Sequence, residues 1–259
     1  MRPVDLNADV GELAAGPGVE TGGLDHEGAL IGSVSSVHVA CGFHAGDAHV
    51  MEATIVRAVR AGVAIGAHPS YPDRPGFGRR PMSMAPAEVA EDVLYQLGAL
   101  GALARRHGVR LRSVKPHGAL YHRMAVDEPC TAAVAEAVRS YDEELALVLA
   151  AGSAGLDVVA DVGLRAIGEA FCDRAYLPDG SLAPRSQPGA VLTDVEAVSR
   201  RAVLLVLDGV VETVEGGELR IDPGTLCIHG DTPGAPGLAA AVREALGQAG
   251  VQIAPPPSR

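Results

Sequence analysis

Val114-Lys115-Pro116-His117-Gly118-Ala119-Leu120-Tyr121 joins a short apolar run to a Pro/Gly-containing loop that carries a histidine and a tyrosine. Lys115 is the only lysine of the chain. A charged residue in that place marks the carboxyl end of a buried strand, where α/β proteins mount their chemistry. Whether the chain is a barrel turns on whether other segments deliver polar groups to the same end.

Outward from that stretch, apolar runs predict strands at residues 4–8, 37–40, 63–67, 111–115, 145–149, 164–171 and 225–228. Helical periodicity falls between them at 25–32, 48–61, 87–107, 128–141, 152–163, 194–207 and 237–248, with Asp194 as a cap and Gly62 and Gly108 as helix stops. Asp9, His44, His68, Lys115 with His117, Asp173 and Asp231 all follow predicted strands. Alternating β and α segments imply a parallel α/β sheet with right-handed crossovers. Seven units favour an incomplete or distorted barrel, because a barrel gathers those strand ends around one mouth. A Gly-rich connection leads through Gly23, and residues 210–221, with Gly216-Gly217 in the middle, read as a β-hairpin inserted before the last strand. Loops 68–86 and 177–193 are long enough to expect function in them. The expected organisation is one domain over residues 1–254 and a Pro-rich tail over 255–259.

The length of 259 residues suits a single α/β barrel of about 250. A net charge of −11 argues against a nucleic-acid partner, whose affinity is drawn from Lys and Arg. No apolar run approaches the roughly 20 residues of a membrane span, so no membrane association is expected. Met1-Arg2-Pro3-Val4-Asp5 reaches an acidic residue before an export signal can form, which makes the cytoplasm the expected location. Cys41, Cys130, Cys172 and Cys227 form no C-x-x-C pair and read as reduced thiols. Lys115 is followed by Pro116, so the chain has no Walker A motif, and use of ATP would need another kind of site or a partner chain.

Several of these strand-end residues carry two readings. Asp9 and Glu12 either cap a turn or supply a carboxylate that activates water or binds a metal. His44 and His68 are either hydrogen-bonded loop histidines or, with Asp9, the Asp and two His of a divalent-metal site. Lys115 either pairs structurally with an acid or works with a lowered pKa, and His117 shares its face of the chain. Arg79 and Arg185 lie in the long loops, where a guanidinium fork can hold a substrate carboxylate.

Asp5-Leu6-Asn7-Ala8-Asp9-Val10-Gly11-Glu12, Ala40-Cys41-Gly42-Phe43-His44-Ala45-Gly46-Asp47, His68-Pro69-Ser70-Tyr71-Pro72-Asp73, Lys115-Pro116-His117-Gly118-Ala119-Leu120-Tyr121 and His229-Gly230-Asp231 together resemble the LamB/YcsF family. The resemblance spans nearly the whole chain in order; Cys172 stands where alanine would be expected. It implies a distorted (β/α)7 barrel of the glycoside hydrolase/deacetylase type. It also implies a hydrolase that opens 5-oxo-L-proline to L-glutamate, coupled to ATP hydrolysis, together with 5-oxoprolinase subunits B and C, the ATP being bound with or by those partners. On that footing Asp9, Glu12, His44, Lys115, His117 and Asp231 are the catalytic candidates. Asp9 or His44 would serve as base for water, and Lys115 and His117 would stabilise the oxyanion. Asn7, Arg79, Tyr121 and Arg185 are the candidate substrate contacts, and Asp9, His44 and His68 the candidate ligands of a divalent metal. Two alternatives stand beside this: a stand-alone metal-dependent amidase or deacetylase acting on a small carbohydrate amide, and a non-catalytic substrate-binding subunit.

Overall fold

In β1 (Asp5–Val10), Asp5, Asn7 and Asp9 alternate with Leu6, Ala8 and Val10, and every one of these residues is buried. Side chains on a strand alternate between its two faces, so two different interiors must receive them. Leu6, Ala8 and Val10 join an apolar cluster with Leu30 and Ile31 of α1 (Thr21–Ser33) and Leu238 and Val242 of α8 (Ala235–Gln248). Asp5, Asn7 and Asp9 point the other way, into the lumen of a barrel. The computed structural model describes residues 3–12 and 21–257, with backbone only for 21–25. Residues 13–20 of the predicted Gly-rich connection and the tail's last residues, 258 and 259, lie outside the described residues, while residues 21–23, also expected in that connection, open α1.

Among the described residues the barrel closes in the order β1, β2 (Ser36–Ala40), β3 (Ala64–His68), β4 (Ser113–Val114), β5 (Ala146–Ala150), β6 (Arg165–Phe171) and β9 (Thr225–Ile228), all pairs being parallel. It is the expected (β/α)7 barrel. α2 (Ala48–Ala61), α3 (Pro86–Arg106), α5 (Glu128–Tyr141), α6 (Gly155–Asp161) and α7 (Val195–Leu207) occupy the crossovers. Asp47 caps α2 by accepting from His49 N and Val50 N, and Asp194 caps α7 by accepting from Ala197 N. These bonds satisfy amide groups that a helix start leaves unpaired. β7 (Val210–Glu212) and β8 (Glu218–Arg220) form the expected antiparallel hairpin.

Hydrogen bonds fill the lumen, where barrels of this kind ordinarily pack branched apolar side chains. Asp5 accepts from Ser35, Ser36 and Thr225; His38 bridges Asn7 and Ser113; Asn7 donates to Glu169 and Thr225. Gly66 makes room for this layer, since a Cβ there would lie 2.5 Å from both His38 Cδ2 and Ser113 Oγ.

Two segments differ from expectation near the mouth. β4 keeps regular pairing only at Ser113–Val114, although Arg112 N and Lys115 N still donate to Ile65 O and Ala67 O; Pro116, with no N–H, ends the ladder. The expected loop after His117 is a helix, α4 (Gly118–Met124), burying Ala119, Leu120, Tyr121 and Met124. The tail is also held: Ala254 N donates to Val4 O, Arg165 donates to Pro257 O, and Pro256 is buried.

Candidate active site

The carboxyl ends of the strands frame a cavity of about 260 Å³. Asp9, His68, Lys115, Tyr121 and Glu169 form its inner wall, and Arg79, Arg174 and Arg185 lie towards the rim. Lys115 is 2% exposed, with Nζ 2.6 Å from Asp9 Oδ1, 2.9 Å from Asn7 Oδ1 and 3.0 Å from Glu169 Oε1. Burial alone would lower its pKa, but the Asp9 and Glu169 carboxylates and the nearby Cys227 raise it well above the usual value. Lys115 is therefore an ammonium ion, a point charge and a donor. Of the two readings left open for it, pairing with acids is the one observed.

Asp9 is its counterpart. Burial pushes the carboxyl up, yet His68 and Lys115 outweigh it and hold Asp9 well below the usual carboxylate range. Asp9 Oδ2 lies 3.4 Å from His68 Nε2, and that carboxylate raises the His68 pKa against the pull of burial. Asn7 is fully buried beneath this pair, with its amide spent on Glu169, Thr225 and Leu226 O; it supports Lys115 from below and does not face the cavity. Tyr121 does line the cavity. Burial, with Glu169 beside it, pushes its phenol well above the usual value, and no hydrogen bond of ordinary geometry satisfies Tyr121 Oη or Glu169 Oε2 among the described residues. Buried polar atoms left open at a cavity wall suit a polar ligand.

Glu12, His44, His68 and His117 gather beside this wall, their nearest ligand atoms all within 4.8 Å of one another. That set is compatible with a divalent metal. Asp9, expected among the metal ligands, pairs with Lys115 and falls in a second such group with Cys227 and His229, while Glu12 and His117 stand with His44 and His68. Burial pushes the Glu12 carboxyl up to about 7, and burial pushes the His44 ring down to about 2. Burial also lowers His117, whose Nε2–H donates to Phe77 O at 2.8 Å and is not free to meet an oxyanion.

Asp231 sits at the rim, where Arg79 Nη2 at 2.6 Å and Arg185 Nη2 at 3.2 Å both donate to it. It thereby ties the two long loops to the end of β9. Arg174, buried, donates to Ala183 O and Ala190 O and fixes the loop that carries Arg185. Three residues at the site had been given no role from sequence. Glu169 was hidden in the apolar β6 run, His38 in β2, and His229, quoted within a motif, stacks on Phe171 at 5.1 Å and bonds to Asp173. Glu169 is an acid in a strand with Ala170 and Ile167 as apolar company, a pattern it shares with solvent-facing strand residues.

The LamB/YcsF family model matches residues 4–259. A protein of Heliobacterium modesticaldum, named as the A subunit of 5-oxoprolinase, is 49% identical over 250 residues, covering 96% of each chain. The Thermus thermophilus protein of that name is 50% identical over 252 residues, 96% of this chain and 98% of its own. Among solved structures, the lactam utilization protein from Thermus thermophilus superposes with a TM-score of 0.87 at 46% identity, covering 98% of this chain and 99% of that one. No helix among the described residues is long and apolar enough to cross a membrane.

Proposed function

The chain belongs to the LamB/YcsF family, and from that membership we propose that it opens the lactam ring of 5-oxo-L-proline as one component of an ATP-dependent 5-oxoprolinase. Relatives at about half identity over their full length carry that name, and a structural relative is named for lactam utilization. One observation carries the reading: a small cavity with a buried ammonium at its inner wall and guanidinium groups at its rim. A lactam that bears a carboxylate needs a cation at each end.

A lactam is a resonance-stabilised amide. Coupling to ATP, with the nucleotide held by a partner subunit, turns its oxygen into a phosphate ester. Water then attacks the same carbon, the ring nitrogen leaves as an amine, and a second water releases phosphate to give glutamate. The chain's own residues serve the steps at that carbon. Lys115, its three N–H groups engaged by Asp9, Asn7 and Glu169, offsets as a fixed charge the oxygen that gains charge, and Asp9, already ionised beside it, accepts the proton of the attacking water. Arg185 or Arg79 presents to the substrate carboxylate the N–H groups that Asp231 leaves unused.

The test is 5-oxoproline turnover by the chain alone and with its partner subunits, each with and without ATP. Turnover should need both. Asp9→Asn, which keeps the side chain's shape, should lower it by about 10²-fold or more with the fold unchanged by circular dichroism. Near-normal turnover in a folded Asp9→Asn enzyme would remove Asp9 from the chemistry. The cluster of Glu12 with three histidines favours one competing reading, a metal-dependent amidase that needs no partner. Amide hydrolysis by the chain alone, without ATP, would establish it.

A further inference from the structure

Three histidine rings meet beside the cavity, and their outer hydrogen bonds decide which nitrogen of each carries a proton. His68 Nδ1 lies 2.6 Å from Lys115 O and His117 Nε2 lies 2.8 Å from Phe77 O; a carbonyl only accepts, so both nitrogens are protonated. His44 Nδ1 lies 2.9 Å from Ser70 Oγ, whose own proton goes to Tyr71 O, so the ring must donate to that oxygen too. In the neutral rings this leaves His68 Nε2, His117 Nδ1 and His44 Nε2 bare, within 4.8 Å of one another and of the Glu12 carboxylate.

Their spacing suits ligation of a single ion. His68 Nε2 to His117 Nδ1 and His44 Nε2 to Glu12 Oε1 are both 3.0 Å, His117 Nδ1 to Glu12 Oε1 is 3.4 Å, and His68 Nε2 to Glu12 Oε1 is 3.9 Å. Four ligands bonded at about 2.1 Å in a tetrahedron lie roughly 3.4 Å apart. His68 Nε2 and His117 Nδ1, 3.0 Å apart, repel unless a proton or a metal ion lies between them. Lys115, the cation beside His68, is already engaged by Asp9, Asn7 and Glu169, and Arg79 by Asp231. The rings of His44 and His117 are stacked, with centroids 3.9 Å apart and planes 3° apart, and the Phe77 edge packs on both. Outer partners that lock ring orientation and tautomer are how proteins prepare metal ligands.

We propose that Glu12, His44, His68 and His117 bind one late first-row divalent cation, with Zn²⁺ as its type. One ligand comes from the carboxyl end of each of the first four barrel strands, and His68 and His117 also line the cavity, which sets the cation against the substrate pocket. A donor set of three imidazoles and one carboxylate excludes Mg²⁺, which keeps oxygen ligands. The site stands whether or not the pocket takes a lactam.

The test uses the full chain, purified without chelator, stripped, and then titrated separately with ZnCl₂, CoCl₂ and MgCl₂. We expect about one equivalent of Zn²⁺ by elemental analysis and calorimetry, a rise in Tm with Zn²⁺ but not Mg²⁺, and visible d–d absorption with Co²⁺. His44→Ala should abolish these signals. Glu12→Gln, which keeps the side chain's shape, should weaken Zn²⁺ binding by more than about tenfold while the protein stays folded. Absence of binding and of any Tm shift at millimolar Zn²⁺ overturns the proposal. So does Zn²⁺ binding of undiminished affinity in folded Glu12→Gln and His44→Ala proteins, which would put the metal elsewhere.

Discussion

Lys115 compensates two buried carboxylates, and this sets what its removal does. Lys115→Met leaves Glu169 without its cation and Asp9 with His68 alone, and removing one partner of a buried ion pair costs about 3–5 kcal/mol. Urea melts should show that loss, and Lys115→Met with Glu169→Gln should recover part of it, because one of the stranded charges has gone. If the double variant is no more stable than the single, Glu169 is not a partner of the ammonium. The sequence announced Lys115 by its singularity and its apolar flanks, but the matching acid in β6 was illegible. A lone Glu in a strand looks like a solvent-facing residue until closure of the sheet gives that face an interior. Tautomers are likewise invisible in sequence, since they depend on carbonyls such as Phe77 O that arrive from a distant loop.

At the scale of elements, two glycines with the same letter carry opposite expectations. Gly66 in β3 faces the packed lumen, so Gly66→Ala should destabilise by about 1–3 kcal/mol through overpacking against His38 and Ser113. Gly98 lies in α3 with nothing within 4 Å of an added Cβ, and Gly98→Ala should stabilise by about 0.5–1 kcal/mol. Thermal or chemical melts of the two variants check the signs. Strands and long helices were legible because their periodicity runs for several residues, as in α2, α5 and β9, whose expected limits match those observed. α4 was not, since seven residues beginning with Gly118 give too short a pattern to separate from a loop. Its helical turns are held by Leu120 and Met124 reaching the core, a tertiary cause.

For the whole molecule, the mouth is held together by acids that charge. Burial pushes the Asp173 carboxyl up, but the His229 charge and hydrogen bonds from His229 and Thr232 prevail and hold it below the usual range. A carboxyl whose folded pKa lies below its unfolded value adds stability above the unfolded value, and loses it as pH falls through the folded one. Stability of the wild type should therefore decline below about pH 4, where unfolded Asp titrates, and Asp173→Asn should be less stable at neutral pH with a flatter acid limb. Melts between neutral pH and the acid limit would show it; parallel curves would free Asp173 from that role. Barrel closure itself was foreseeable from the polar groups at successive strand ends. The direction of each polar contact inside it was not.

That direction has a consequence of its own. Lys115 Nζ donates to Asn7 Oδ1, Asn7 Nδ2 donates to Thr225 Oγ1, and Thr225 Oγ1 donates to Asp5 Oδ2. An ammonium has no lone pair and an amide NH2 only donates, so the order of donors along the barrel axis starts at Lys115 and cannot run backwards. The lumen is a one-way cable, poled by a cation at the mouth and ending on a carboxyl group at the floor, and each bond polarises the next. A change at Asp5, far below the pocket, is thus felt at Lys115 as an electrical event before it is felt as a mechanical one.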